Sequence, residues 1–250
     1  SLAELIMLRR YTWSLEEEYG FKGLLHFTAF NNLKNIFKAG YLKSRAQCKR
    51  EGSLVVDGAD EKIIKQTDRF LTNKVRFYYG SNSYTLNRNE GIKVRDENPH
   101  IPIPVYLVFN PKLIYLAASS FTDGNAKSDY TSISRSCDFF REEMDWEKIF
   151  DRTPLSVEDS KRKFELKRKR QAELLIDSPV PLKYLKKIIF RCEADKNRVM
   201  NTLVADDEIQ VDPNMFEIDA EMFSIDANNK RHNYISDYKI KFNSGKLLIK

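Results

Sequence analysis

Residues 23–42, GLLHFTAFNNLKNIFKAGYL, decide the predicted fold. The first six letters have the composition of a short β-strand, and apolar residues then recur at the three- and four-residue spacing of a helix. Asn31 or Asn32 can cap this helix, and Gly40 can end it in the left-handed conformation. We therefore predict a strand, a turn and a helix, in that order.

His26 and Thr28 lie two residues apart in the predicted strand, so alternation places their side chains on the same face. A neutral histidine has one donor and one acceptor nitrogen and can hold a ribose hydroxyl, and a threonine hydroxyl can bind a neighbouring polar group. A histidine that is satisfied by hydrogen bonds inside the sheet is the competing interpretation.

Apolar and aromatic stretches predict further strands. These are KVRFYYG (74–80), PVYLVFN (104–110), the segment that follows residue 171, and LKKIIFRC (185–192), with LIYLAAS (113–119) as an additional candidate. Several segments between these strands have apolar residues at helical spacing. The sequence contains neither an internal repeat nor a long linker. With 42% apolar residues, the chain is expected to form one compact α+β domain over residues 1–250, in which residues 1–20 are an N-terminal helical extension.

The chain carries 42 Lys and Arg against 36 Asp and Glu, a formal net charge of +6, which mildly favours anionic partners. Seven of the ten residues in KRKFELKRKR (161–170) are cationic. On a helix these cations would cover the solvent face and could contact the phosphates of a nucleic acid, without reading its sequence. A solvated charged face that binds no ligand is the alternative.

Three widely spaced cysteines, Cys48, Cys137 and Cys192, form no Cys-x-x-Cys or Cys/His cluster, so we expect no metal site. No stretch approaches the roughly 18 apolar residues that a membrane span needs, and the first residues lack the pattern of a signal peptide. We therefore expect a cytoplasmic protein with no membrane partner. Convincing P-loop, Rossmann and paired-carboxylate patterns are also absent from the sequence.

Gln171 and Glu173 lie at the predicted start of a strand, on the same face. A carboxylate there can accept a hydrogen bond from a ribose hydroxyl and stabilise positive charge at the anomeric carbon, which is what breaking a nicotinamide–ribose bond requires. A surface glutamate that ends a charged helix is the alternative. The predicted strand at 74–79 adds cations and aromatic rings that can stack on a base, although core packing explains its aromatic residues equally well.

Four segments, taken in order, resemble the DarT family of DNA ADP-ribosyltransferase toxins. HFTAFNNLKNIFKAGYL (26–42) resembles the family's opening His-x-Thr strand, turn and helix. The other three resemble its aromatic strand with a following Asn-Glu-Gly, its Asp-Gly-Asn loop and its catalytic Arg-x-Ala-Glu segment; they are KVRFYYGSNSYTLNRNEGI (74–92), TDGNA (122–126) and RQAELLIDSPVPLKYLKKI (170–188). Together the four segments extend over most of residues 23–190.

The resemblance implies the ADP-ribosyltransferase fold, with two small packed β-sheets, flanking helices and a split cleft for NAD⁺ as co-substrate. It also implies Glu173 as the catalytic glutamate. A second catalytic residue of the family is an arginine after its first helix, near the acceptor and the NAD⁺ phosphates, for which we prefer Arg45 over Arg50 and Arg69. The residues expected to bind NAD⁺ are His26, Thr28, Asn32, Tyr78 and Gln171. The residues expected to contact the acceptor strand are Arg76, Tyr84, Asn125, Arg168 and Arg170.

The loop at residues 80–84, GSNSY, departs from the family pattern, which commonly has Arg-x-x-Pro there. Because that loop helps to present the acceptor in the family, the departure leaves the acceptor open. The resemblance implies transfer of ADP-ribose to a nucleobase in single-stranded DNA, and a macrodomain antitoxin as a partner. Transfer to RNA or to protein, and nucleic-acid binding without catalysis, are the alternatives.

Overall fold

The computed structural model describes residues 1–56, 69–81, 83–92, 101–116, 118–153, 155, 159–204, 206–223, 234–241 and 246–249. Its helices are α1 (Leu2–Tyr19), α2 (Leu33–Ala39), α3 (Arg45–Glu51), α4 (Arg69–Thr72), α5 (Tyr84–Asn89), α6 (Trp146–Phe150), α7 (Ser160–Lys169) and α8 (Glu193–Val204). Its strands are β1 (Leu24–Ala29), β2 (Tyr41–Leu42), β3 (Lys74–Tyr78), β4 (Pro104–Phe109), β5 (Ser119–Asn125), β6 (Ile133–Ser134), β7 (Ala172–Asp177), β8 (Val180–Pro181), β9 (Leu185–Phe190), β10 (Phe216–Ile218), β11 (Tyr238–Lys241) and β12 (Lys246–Ile249).

One large sheet organises the described residues, with strand order β10-β9-β4-β1-β3-β7-β5-β6. Neighbouring strands run antiparallel throughout, except for the parallel pair β9 and β10. Two small ladders, β2 with β8 and β11 with β12, stand apart from it. Helices and a largely antiparallel sheet confirm the predicted α+β class.

The contact between β1 and β3 is the shortest between neighbouring strands of this sheet. Leu25 and Tyr78 are the single pair of residues in register between these strands, whereas β1 pairs with β4 along all six of its residues. The two small packed sheets that the resemblance implies are therefore not confirmed, because this one pair joins two four-stranded halves into one ladder. Beyond it, the two strands diverge.

The main core packs against one face of the large sheet. Leu24, Phe77, Phe109 and Leu174 lie in four neighbouring strands and are completely buried. Alternation along β1 then places His26 and Thr28 on the side of Leu24, and alternation along β7 places Glu173 on the side opposite Leu174. The apolar pattern of the strands thus decides on which face of the sheet each of these three side chains lies.

The two helices predicted from the start of the chain are confirmed. α1 begins with a capping box between Ser1 and Glu4 and packs into the main core through Leu8 and Leu15. α2 ends at Gly40, whose φ of 70° is left-handed, as predicted.

The additional strand predicted over residues 113–119 is wrong. Pro111–Tyr115 forms a 3₁₀ helix, because the Asn110 side chain accepts the backbone N–H of Lys112 and Pro111 fits the first helical position; β5 begins only at Ser119.

Within the described residues, no helix is long and apolar enough to span a membrane. Over the same residues, no three His, Cys, Asp or Glu side chains lie close enough together to hold a metal ion. The three cysteines are free thiols.

Gly23, the residue before β1, supports a prediction about stability. Its φ is 143°, and a Cβ there would lie 2.6 Å from the carbonyl oxygen of Phe109, which belongs to β4. We expect Gly23→Ala to lower the free energy of unfolding by roughly 2–6 kcal/mol, because backbone strain and a clash with an immobile strand add. Gly20→Ala is the matched control, since Gly20 also has a positive φ of 64° but nothing within 4 Å of the added carbon.

For Gly20→Ala we expect a loss of roughly 1–2 kcal/mol, from the left-handed backbone alone. Urea unfolding followed by circular dichroism measures both variants. Equal losses in the two variants would show that the close approach of residue 23 to β4 is not a constraint.

Candidate active site

Glu173 is the second residue of β7, which lies between β3 and β5, and its side chain is completely buried. Its backbone N–H donates to Oγ1 of Thr122 at 2.8 Å, and the backbone N–H of Ala126 donates to its Oε1 at 3.3 Å. Both contacts arise because the register of β5 against β7 shifts between Phe121 and Asn125. This bulge replaces regular ladder bonds by groups that hold the glutamate.

Arg76 of β3 holds the carboxylate of Glu173 with two parallel hydrogen bonds. Its Nε lies 2.5 Å from Oε2, and its Nη2 lies 2.6 Å from Oε1. The arginine side chain is 24% exposed and the glutamate 0%, so the guanidinium covers the carboxylate on the side that solvent can reach. A bidentate pair of this kind offsets the large cost of burying a carboxylate.

His26 connects β1 to the same arginine. Its Nδ1 lies 3.0 Å from the backbone oxygen of Arg76, across the diverging junction. Because a carbonyl oxygen only accepts, Nδ1 carries the proton and Nε2 keeps its lone pair as an acceptor. Burial lowers the pKa of His26 below its ordinary value of 6.5, and the charges of Arg45 and Arg76 lower it further, so the ring is neutral at pH 7.

Thr28 and Asn32 form a second part of the site. Oγ1 of Thr28 accepts from Nδ2 of Asn32 at 3.0 Å, and Oδ1 of Asn32 accepts the backbone N–H groups of Val55 and Val56 at 3.0 and 2.9 Å. Asn32 therefore ties the segment at 55–56 to β1. The sequence suggested that the Asn32 side chain can cap α2. It does not do so, because these partners already use its hydrogen-bonding groups. Together with His26, these two residues line a pocket of about 60 Å³.

Two further cations lie near this pocket. Arg45 is the first residue of α3 and half-buried, and its charge is close enough to lower the pKa of His26. Lys127 follows β5, and burial together with the charges of Arg76 and Arg45 lowers its pKa. The structure therefore gathers positive charge from three elements around the histidine. Arg50 and Arg69, the other candidates for the arginine of the site, are exposed.

Tyr78 lies at the junction itself, in register with both Leu25 and Glu173. Its ring stacks on Phe27, with centroids 5.7 Å apart and planes 10° apart. Burial and the charge of Glu173 raise the pKa of Tyr78 to about 12, so the phenol is neutral at physiological pH. Tyr78 forms an aromatic wall beside the carboxylate.

Gln171 precedes β7, and both the oxygen and the nitrogen of its side-chain amide form hydrogen bonds within the protein. Its Oε1 accepts from Oγ1 of Thr85 at 2.7 Å, and its Nε2 donates to the backbone oxygen of Lys167 at 2.9 Å. These bonds fasten α5 to α7. Beside them, Tyr84 is 39% exposed and Nζ of Lys167 lies 4.2 Å from the centre of its ring.

The Asp-Gly-Asn segment at 123–125 fastens β5 to α7. Oδ2 of Asp123 accepts from Arg168 at 3.2 Å and from Lys169 at 2.8 Å. A Cβ on Gly124 would lie 2.8 Å from Nη1 and 2.9 Å from Cγ of Arg168, so the glycine leaves room for this arginine. Oδ1 of Asn125 accepts the N–H of residue 127 at 3.0 Å and shapes the turn that follows.

The expectation that the cations of residues 161–170 cover a solvent face is wrong for the last three. Arg168, Lys169 and Arg170 are buried, and Nη2 of Arg170 lies 2.5 Å from Oδ1 of Asp151. The physical reason is that the last turn of α7 packs against β5 and leads directly into β7, so that its cations face inward and meet carboxylates. The exposed cations are on the first turn of α7, at Lys161 and Arg162.

Apart from the exposed Tyr84, the predicted residues divide into two groups. His26, Arg76 and Glu173 are joined by direct contacts, and Thr28, Asn32, Tyr78 and Arg45 surround them. Gln171, Asn125, Arg168 and Arg170 instead bond to the protein's own groups and support the neighbouring elements. The sequence analysis did not find Thr122, Ala126 or Lys127, because two of them act through the bulge and its register, which no local pattern encodes.

Comparisons with known proteins identify the family and the fold. The family described as "ssDNA thymidine ADP-ribosyltransferase, DarT" matches residues 25–223, and no curated protein matches the chain. The fold is similar to that of Thermus sp. 2.9 DarT in complex with ADP-ribosylated ssDNA, with 19% identity, a TM-score of 0.65, and coverage of 80% of this chain and 95% of that chain. The complex of the same protein with NAD⁺ gives 19% identity, a TM-score of 0.62, and coverage of 80% and 96%.

Thermosipho africanus DarTG in complex with ADP-ribose is a further structural match, with 18% identity, a TM-score of 0.63, and coverage of 92% of this chain and 55% of that chain. At these identities the solved structures show the fold. The family match extends over well more than half of the chain and includes both halves of the site, from His26 to Glu173. The chain therefore belongs to the DarT family of single-stranded DNA thymidine ADP-ribosyltransferases.

Proposed function

We propose that this protein transfers ADP-ribose from NAD⁺ to the base of a thymidine in single-stranded DNA. The observation that carries the proposal is the completely buried carboxylate of Glu173, which Arg76 holds beside the point where β1 and β3 diverge. Family membership supports the reaction, and solved relatives in complex with NAD⁺ and with ADP-ribosylated ssDNA support the donor and the acceptor.

The gap beyond Leu25 and Tyr78 is the proposed split cleft for NAD⁺. Nε2 of His26 is an acceptor for a ribose hydroxyl, and Thr28 adds a hydroxyl on the same face. Arg45 supplies positive charge for the diphosphate, and Asn32 positions the segment at 55–56 that closes this side. The neutral ring of Tyr78 forms the wall for the nicotinamide.

Glu173 is the proposed catalytic residue and Arg76 its positioning residue. As the nicotinamide–ribose bond breaks, its electron pair leaves with nicotinamide, and the Glu173 carboxylate stabilises the positive charge at the anomeric carbon. A base nitrogen of the acceptor then forms the new bond and gives its proton to Glu173 or to a neighbouring group. For a ribose hydroxyl to reach Glu173, Arg76 has to release one of its two hydrogen bonds.

The acceptor strand is proposed to cross the surface formed by the turn after β5 and by α7. Tyr84 and Lys167 present a ring beside a cation there, which suits a base and its phosphate. Gln171, Asn125, Arg168 and Arg170 support this surface from within. The loop at 80–84, which departs from the family pattern, is where the choice of acceptor would differ from relatives.

Two broader proposals accompany this function. Residues 1–250 act as one domain, since α1 packs through Leu8 and Leu15 into the same core as the sheet. The partner is a macrodomain antitoxin, which the structural match to a DarTG protein supports.

The function is tested by incubating the protein with labelled NAD⁺ and four acceptors: single-stranded DNA with one thymidine, the same strand without thymidine, an RNA of the same sequence, and cell protein. Label on the first strand alone, with stoichiometric release of nicotinamide, is the expected result. Label on RNA or protein instead would show that the acceptor is not DNA. Absence of nicotinamide release with every acceptor would show that the protein does not catalyse this reaction.

Glu173→Gln is expected to reduce the rate of transfer by at least about 100-fold, because the variant keeps the shape of the side chain but loses its charge. The affinity for NAD⁺, measured by calorimetry, should stay within about threefold, since His26, Thr28, Arg45 and Tyr78 are unchanged in this variant. Asp177→Asn is the matched control on the same face of β7, where Asp177 is largely exposed and pairs with Lys74. A Glu173→Gln enzyme with near-normal transfer would exclude Glu173 as the catalytic residue.

The pH dependence of NAD⁺ binding tests His26. Because burial lowers the pKa of His26 below its ordinary value of 6.5, Nε2 is unprotonated at pH 8 and takes up a proton at a lower pH than an exposed histidine would, so the affinity for NAD⁺ should not change between pH 8 and neutral pH. It should fall only at lower pH, when Nε2 takes up a proton and can no longer accept. In His26→Asn the affinity should be weaker at pH 8 and lack the fall that protonation of the imidazole causes. Tighter binding on acidification would contradict the assignment.

A further inference from the structure

An exposed pair of aromatic rings lies on the surface next to the proposed active site. Tyr130, in the turn after β5, is 74% exposed, and Phe164, on α7, is 51% exposed. Their ring centroids are 5.7 Å apart and their planes meet at 86°. Rings so exposed gain little from burial, so packing in the core does not account for their position. We call this pair the aromatic platform.

The turn that carries Tyr130 is held rigidly. Its backbone oxygen accepts from Nη1 of Arg168 at 3.0 Å, and its N–H donates to Oγ of Ser128 at 3.3 Å. Arg168 is itself fixed by ion pairs with Asp123 and Glu165, and it lies on the same helix as Phe164. The two rings therefore project from a prearranged scaffold, which lowers the entropy lost when a ligand binds.

The platform lies close to the catalytic carboxylate. The backbone N–H of Ala126 donates to Glu173, and Tyr130 follows Ala126 by four positions, which puts their Cα atoms at most about 14 Å apart even in an extended chain. A base that stacks on Tyr130 would thus belong to a nucleotide that flanks the modified one.

The charges around the platform favour a nucleic acid over another apolar partner. Lys127, Lys163 and Lys167 lie on the two elements that carry the rings, and Lys161 and Arg162 continue the positive face on the first turn of α7. Of the acidic residues on these elements, Asp129 is exposed, while Glu165 is paired with Arg168. Aromatic rings among lysines suit single-stranded nucleic acid, whose bases stack while its phosphates meet the cations.

We propose that Tyr130 and Phe164 stack a base that flanks the modified thymidine, and so determine how the acceptor strand is held. This inference rests on the proposed function and deepens it, because it assigns a subsite for a neighbouring nucleotide. Loss of a stacking ring is expected to weaken binding of a strand that contains this nucleotide by between about fivefold and about 150-fold.

The test uses fluorescently labelled single-stranded DNA with one thymidine, in a series trimmed one nucleotide at a time from either end. Affinity is measured by anisotropy and transfer by label from NAD⁺, for the wild type, Tyr130→Ala, Tyr130→Phe and Trp13→Ala. Trp13→Ala is the control, since Trp13 is 63% exposed and lies on α1, which carries neither ring of the platform nor a residue of the proposed site. Calorimetry with NAD⁺ shows whether each variant keeps an intact donor site.

Tyr130→Ala should bind the long strands more weakly and the shortest ones as well as the wild type does, with unchanged affinity for NAD⁺. Tyr130→Phe should bind like the wild type because the ring remains. The loss should be similar at 50 and 200 mM salt, since stacking releases no counterions. Equal affinity of Tyr130→Ala and wild type for every strand would overturn the proposal, as would a dimer in sedimentation that Tyr130→Ala abolishes.

The two proposals fail separately. If the wild type transfers label to no strand, the proposed function fails, but the anisotropy series still tests the platform. If the wild type transfers label and Tyr130→Ala shows no length-dependent loss, only the platform is refuted.

Discussion

The ion pair between Arg76 and Glu173 is the interaction on which the rest of the site depends. A carboxylate that is completely buried needs a partner whose geometry matches its two oxygens, and the guanidinium supplies two parallel bonds. The same arginine accepts a hydrogen bond from His26 at its backbone oxygen. One residue of β3 thus joins the histidine of one half of the sheet to the glutamate of the other, at the place where β1 and β3 stop pairing.

The neighbouring elements are built to keep this arrangement in place. The bulge in β5 brings Thr122 and Ala126 to Glu173. Asp123 holds the end of α7 through Arg168 and Lys169, where Gly124 leaves the space that Arg168 needs. Much of the positive charge that looks like a nucleic-acid surface in the sequence is therefore internal and neutralised. What remains outside is the first part of α7 with the aromatic platform beside it.

Local patterns predicted a large part of this structure. The strand, turn and helix of residues 23–42 follow from alternation and helical spacing, and His26, Thr28 and Glu173 lie on strands as expected. Long-range features were not predictable in the same way. The joining of the sheet by Leu25 and Tyr78, the inward orientation of Arg170, and the pairing of Arg76 with Glu173 depend on which strands become neighbours. Sequence spacing carries no direct information about those neighbours, so Arg76 was expected to contact the acceptor strand, whereas its side chain is bonded to Glu173.

A double-mutant cycle on the free energy of unfolding tests most directly whether Arg76 and Glu173 hold each other. The variants are Arg76→Gln, Glu173→Gln and the double substitution, unfolded in urea. Arg76→Gln alone should cost roughly 3–5 kcal/mol, because it leaves a buried carboxylate without its partner. The double variant should be more stable than the sum of the two losses predicts, by at least about 1 kcal/mol. Losses that add to within about 0.5 kcal/mol would show that the two side chains do not depend on each other, which contradicts this account of the site.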